Sequence, residues 1–164
     1  MRSVLHREYQ GQNCSVAAAL EVVGERWTLL IVRDAFLGLR RFEEFQESLG
    51  VARNVLTDRL NKLVEEGIFE RLPYSTRPDR YDYELTKKGR DLHVALVGLR
   101  QWGDKYLCDK PPTLARRKRD GKALVAALVP KDTKAVPISD AEFVAGPGRD
   151  PDASTWRVLN RRSG

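Results

Sequence analysis

Three groups of residues in this chain have types and spacings that could do chemistry. Arg53, Asn54, Thr57 and Asp58 fall at the start of a helical repeat, the last three on the face opposite a row of leucines. Arginine presents two parallel donors that match a guanine edge, asparagine matches an adenine edge, and threonine offers a methyl to thymine or a hydroxyl to phosphate. Arg59 and Lys62, farther along the same repeat, suit the phosphate backbone. The second group is a turn-rich segment, Tyr74, Ser75, Thr76, Arg77 and Arg80, able to lie on phosphates or to dip an arginine, Arg77 first, into a minor groove. The third is Cys14 at the start of a helical stretch. There the free N–H groups and the helix dipole favour a thiolate and hence reactivity; a small buried hydrophobe is the other reading of the same residue. Enzyme chemistry finds no support: there is no Gly-rich phosphate loop, no Ser/His/Asp constellation and no zinc spacing among Cys14, Cys108, His6 and His93. No catalytic residue, cofactor or metal is expected.

Positioning such groups takes a helix, a turn, a second helix and a hairpin, and Arg41–Thr86 spells that order. Phe42, Phe45, Gln46 and Leu49 recur at helical spacing, so a helix is predicted over Arg41–Leu49, stopped by Gly50. A second helix is predicted over Ala52–Glu66, with Val55, Leu56, Leu60, Leu63 and Val64 inward and Gly67 at its end. Ile68–Leu72 and Tyr81–Thr86 have strand character, and Pro73, Ser75, Thr76, Pro78 and Asp79 between them are loop chemistry. This is the plan of a winged helix-turn-helix, with one helix in a DNA major groove and a hairpin beside it.

Upstream, helices are expected from Cys14–Ser15 to Gly24 and from Glu25 to Phe36, the latter turning Trp27, Leu30, Ile31 and Asp34 toward neighbouring elements. Downstream, one long helix is expected over Lys87–Leu107, with Thr86 as its N-cap. Lys87 and Lys88 oppose the dipole at its start and call for a partner, a DNA phosphate or solvent. Its apolar residues Leu92, Leu96, Leu99, Trp102 and Tyr106 exceed what one small domain needs. They suit a dimer seam with Val16 and Leu20 of the first helix, or an intramolecular core. A homodimer would match a palindromic DNA site.

The fold class expected is mainly α with a small β-wing (α+β): a winged helix-turn-helix over 1–110 and an extension over 111–164. Residues 1–13 read as a polar arm, and Pro111-Pro112 mark the boundary. Within the extension Leu124–Val129 and Val136–Val144 are strand candidates, the GPGRDPDAS stretch is linker-like, and the basic ends Arg116–Arg119 and Arg157–Arg162 add phosphate contacts or move freely. The net charge of +6 belongs mostly to this tail. Residues 1–110 hold 18 Lys and Arg against 17 Asp and Glu, whereas residues 111–164 hold 11 against 6. Overall basicity therefore says little about the helix-turn-helix, where the local cations on the second helix and wing carry the weight. No run approaches the roughly 20 apolar residues of a membrane span, and the charged N-terminus lacks a signal-peptide core, so the expected location is cytoplasmic.

The motifs resemble the HxlR family of winged-helix transcriptional regulators. They run in order: Cys14, Gly24-Glu25-Arg26-Trp27-Thr28-Leu29-Leu30, Arg41-Phe42-Glu43-Glu44-Phe45, Leu56-Thr57-Asp58-Arg59-Leu60, Glu66-Gly67-Ile68, Tyr83-Glu84-Leu85-Thr86-Lys87-Lys88-Gly89 and Trp102-Gly103. The resemblance covers about residues 10–108. It implies a dimeric bacterial repressor or activator that binds double-stranded DNA, and a cysteine at position 14 that in some members senses an oxidant or electrophile. Two positions depart from the pattern. Ser15 stands where proline is common, and Ala52 stands where a Ser or Thr cap is common. The competing function is a winged-helix protein-interaction module without DNA affinity.

Overall fold

The computed structural model describes residue 9 and residues 13–162, so most of the expected N-terminal arm, with His6, lies outside the described residues. The order is α1 (Ser15–Val23), α2 (Thr28–Phe36), α3 (Phe42–Leu49), α4 (Arg53–Glu65), β1 (Phe69–Thr76), β2 (Asp79–Leu85), α5 (Lys87–Arg90) and α6 (His93–Tyr106). A tail of β3 (Thr113–Arg117), β4 (Ala141–Ala145) and α7 (Ser154–Arg162) follows. The class is α+β, and no described helix is long and apolar enough to cross a membrane.

The helix-turn-helix forms where the apolar spacing places it. Glu44 reaches back to accept the backbone N–H groups of Arg40 and Arg41, both at 2.9 Å, which satisfies donors that the first turn of α3 leaves open. Gly50 adopts φ 62°, the left-handed conformation that lets the chain leave α3 and enter α4. Phe45, Leu56, Leu60, Leu63, Ile31, Val32 and Phe69 are fully or almost fully buried together, with the Phe45 and Phe69 rings edge to face at 6.3 Å. This core fixes the angle between α3 and α4.

Four expectations need correction. The second helix starts at Thr28 and not at Glu25, because Trp27 takes φ 78° and turns the chain there; Leu30, expected inward, is 40% exposed. The wing has almost no loop. Main-chain pairing continues from Phe69↔Leu85 to Thr76↔Asp79, so Tyr74, Ser75, Thr76 and Arg80 are strand residues and only Arg77-Pro78 form the turn. The hairpin takes this course because backbone groups pair regardless of side-chain polarity, and Pro73 is tolerated at a sheet edge beside a bulge. The long helix over Lys87–Leu107 is two helices. Leu92 bonds to the Gly89 carbonyl three residues back, which tightens the ladder at Asp91–Leu92 and re-aims α6, and Leu107 lies past its end. Thr86 does cap the start, its Oγ1 accepting from Gly89 N–H at 3.1 Å.

The tail supplies the fourth correction. Leu124–Val129 is not a strand and is mostly exposed; the strands are Thr113–Arg117, which takes in the start of the basic run, and Ala141–Ala145, paired antiparallel. The GPG stretch is packed and not a linker: a Cβ on Gly146 or Gly148 would collide with the Pro111 or Lys110 carbonyl oxygen. The basic ends have fixed places. Arg116 pairs with Glu142 at 2.6 Å, and Arg157–Arg162 lies in α7, which puts Val158 into the main core. Ser154 Oγ donates to the Ser48 carbonyl, and the Ser48 and Thr155 hydroxyls share a hydrogen bond, both at 2.6 Å, which seats α7 on α3.

Candidate nucleic-acid interface

The leading turn of α4 is exposed at Arg53, Asn54, Thr57 and Asp58, while Leu56 and Leu60 on the other face are fully buried. Ala52 supplies no side-chain cap, so the first N–H groups of α4 are left for other acceptors. The Arg53 guanidinium stands over the Phe42 ring at 4.6 Å. Thr57 Oγ1 donates to the Arg53 carbonyl at 2.8 Å, which uses its proton and leaves its methyl and its acceptor capacity.

Arg59 and Lys62 are placed differently from the rest of the expected set. Both reach Glu25 at the α1–α2 corner, Lys62 at 3.0 Å, and Lys62 Nζ also donates to the Glu21 carbonyl at 3.2 Å. Their charges are met inside the protein, and they tie α4 to the preceding helices. Lys87 and Lys88 likewise find protein partners, Asp91 at 3.3 Å and the Glu66 carbonyl at 2.5 Å. The latter lies at the negative end of α4, which gives Lys88 a partner within the chain, whereas Lys87 stays largely exposed to solvent.

On the wing, Thr76, Arg77 and Arg80 are exposed, Ser75 is half-buried, and Tyr74 lies beneath the Arg41 guanidinium at 4.7 Å. Arg41 is a candidate site residue that sequence reasoning misses. Its one signal is its place at the N-cap of α3, and the link emerges because Arg41 bridges to Asp82 and the Arg40 carbonyl accepts the Tyr83 N–H at 2.7 Å. The arrangement is a row of cations laid on rings: Arg53 on Phe42, then Arg41 on Tyr74, then the wing tip. Stacking holds both guanidiniums in place; Arg41 is also ion-paired, its Nε 3.5 Å from the Asp82 carboxylate.

Cys14 is exposed at the N-cap of α1. The backbone N–H of Ala17, and after it that of Val16, holds its thiol below the usual range. Deeper in the fold, burial pushes the Asp34 carboxyl above its ordinary value, opposed by Arg33 at 2.6 Å. The expected seam divides. Val16, Leu20, Leu99, Trp102 and Tyr106 are exposed, Trp102 and Tyr106 with rings 5.6 Å apart, whereas Leu92 and Leu96 pack against the core of their own chain. Among the described residues no group of His, Cys, Asp and Glu has the arrangement to hold a metal.

A model of the HxlR-like helix-turn-helix matches residues 22–111. An HTH-type transcriptional regulator of Mycobacterium tuberculosis is 50% identical over 122 residues, 73% of this chain and 76% of the relative. Among solved structures, the transcription factor PA1607 is 41% identical with a TM-score of 0.63, over 79% of this chain and 93% of that one. The redox regulator HypR in its oxidised form is 30% identical with a TM-score of 0.52, over 56% of this chain and 96% of that one. With these likenesses added to the exposed helix face and the wing, the chain belongs to the HxlR-like helix-turn-helix family and is a DNA-binding transcriptional regulator.

Proposed function

We propose that two copies of this chain bind a two-fold symmetric DNA site in the cytoplasm, each placing the start of α4 in a major groove and its wing on the flanking backbone. Arg53 and Asn54 face base edges, Thr57 and Asp58 line the same groove, and Arg41, Tyr74, Ser75, Thr76, Arg77 and Arg80 meet phosphate and sugar. Arg59 and Lys62 hold α4 in register from behind. The observation that carries this reading is the exposed first turn of α4, with Arg53 held on the Phe42 ring, together with a wing whose tip exposes Arg77 and Arg80. The exposed apolar residues of α1 and α6 supply the dimer seam, which sets half-sites about 10 bp apart or a multiple of that. Cys14 is the point where an oxidant or electrophile is felt: its thiolate is favoured by backbone N–H groups, and a redox regulator shares this fold. Footprinting of the full chain upstream of its own gene, with and without oxidant, tests the reading. The expected result is a symmetric protected site whose occupancy falls steeply with salt. Binding indifferent to sequence and salt would overturn it.

A further inference from the structure

The tail closes a recess that the helix-turn-helix alone lacks. A cavity of about 340 Å³ lies between α2, α6 and the β3–β4 sheet, walled by Leu30, Phe36, Leu99, Gly103 and Phe143. Phe143 of β4 contributes the outer wall and meets the Phe36 ring at 5.7 Å. The volume falls in the range of about 300–1,000 Å³ typical of small-molecule sites.

The charges beside it are cancelled locally. Arg33 pairs with Asp34 at 2.6 Å, and Arg100 pairs with Asp104 at 2.9 Å while donating to the Thr113 carbonyl at 3.0 Å. An ionised ligand would find no free countercharge, so burying it there would be costly.

We infer that this recess is a binding site for a neutral, mostly apolar organic molecule. The site is separate from the DNA surface, and it joins the tail to α2 and α6. It is also separate from most of the proposed dimer seam, since Val16, Leu20, Leu92, Trp102 and Tyr106 take no part in its lining.

Prodan, a neutral naphthalene ketone whose emission shifts to the blue in apolar surroundings, is the probe, titrated onto the full chain without DNA. The blocking variant is Gly103→Leu: a Cβ there meets nothing within 4 Å, so the new side chain enters the cavity, and losing a helical glycine favours α6. One prodan per chain is expected to bind, weakened at least about tenfold by Gly103→Leu. Acetonaphthone should displace it, and naphthoate, the same rings with a charge, should not. Absence of prodan binding, equal binding to the variant, or displacement by naphthoate as readily as by the ketone would overturn the assignment. Sedimentation of Gly103→Leu should match the wild type; a halved mass would make the recess part of the subunit seam and refute the ligand site. Because none of these measurements involves DNA, a failed operator assignment would leave them readable.

Discussion

Arg53 offers a way to separate base reading from charge attraction. Its guanidinium rests 4.6 Å above the Phe42 ring, so an exposed side chain is already held at the leading edge of α4. Arg53→Lys keeps the positive charge and loses both the planar fork and the ring stacking. A bidentate arginine–guanine pair gives about 1–3 kcal/mol of discrimination, or roughly 5- to 150-fold per half-site. Arg53→Lys should therefore weaken binding to the operator by that factor and leave binding to a scrambled duplex within about twofold. The slope of log affinity against log salt should stay at its wild-type value, because lysine keeps the charge; in Arg53→Ala it should also stay, since reading a base releases no counterion, whereas loss of a phosphate-neutralising side chain would lower it by about 0.9. Fluorescence anisotropy on both duplexes across a salt series measures all three quantities. If Arg53→Lys weakens both duplexes equally, or weakens neither, Arg53 does not read a base and the docking of α4 is wrong.

Three further outcomes follow from the geometry. In Gly89→Ala the new carbon would collide with the Ile68 carbonyl oxygen, so urea unfolding should show a loss of about 2 kcal/mol or more; Gly98→Ala, with open space around it, should gain about 0.5–1 kcal/mol. Cys14 should be alkylated by iodoacetamide with a pH midpoint below the roughly 8.5 of a free thiol, and Cys14→Ser should abolish any loss of DNA binding on oxidation; a midpoint at or above the free-thiol value refutes the N-cap effect. Asp34 carries a carboxyl pKa raised by burial, so the folded state holds its proton more tightly than the unfolded state. The stabilisation from that proton is complete below the unfolded value of 3.8 and is lost as pH rises through the folded value. Denaturant midpoints of wild type minus Asp34→Asn should accordingly fall with rising pH just above 3.8, and a rise would show that Arg33 outweighs burial.

The parts of the fold legible in the sequence are those decided by local chemistry. The stripe through Phe42, Phe45 and Leu49, the stop at Gly50 and the cap at Thr86 each depend on residues a few positions apart, and they form where the spacing places them. What escapes depends on distant partners. Lys62 and Arg59 look like phosphate ligands until Glu25, far away in sequence, takes them both. Leu124–Val129 has the composition of a strand, but its contact with β3 stops at the Ala123–Arg116 bridge and the Leu124 N–H on the Ala115 carbonyl, whereas the basic Thr113–Arg117 pairs along its length with Ala141–Ala145. Hairpin pairing through Thr76 is hidden because its donors and acceptors are backbone atoms that composition does not report. Arg41 escapes for a similar reason: its importance comes from Tyr74 beneath it, across the wing.

The tail is the case where sequence segmentation and physical organisation part most clearly. The family match ends at residue 111, and the proline pair there invites a boundary. Yet Val158 of α7 is buried in the same core as Phe45 and Leu56. The Ser48–Thr155 hydroxyl pair also places α7 against the neighbourhood of buried Asp34, since Arg33 bonds both Asp34 and Thr155, the latter at 3.4 Å. Arg161 and Arg162 pair with Glu47 and Glu44, so much of the tail's excess charge is set against the acidic face of α3 and is not free for phosphate. The helix that α7 grips is the one whose first residue, Phe42, supports Arg53 and whose N-cap, Arg41, covers Tyr74. A ligand between Phe143 and α6 would press on the same tail from its other side. The extension is thus best understood as a brace: it fixes α3, whose Phe42 lies beneath Arg53 of α4 and whose N-cap Arg41 lies on Tyr74 of the wing.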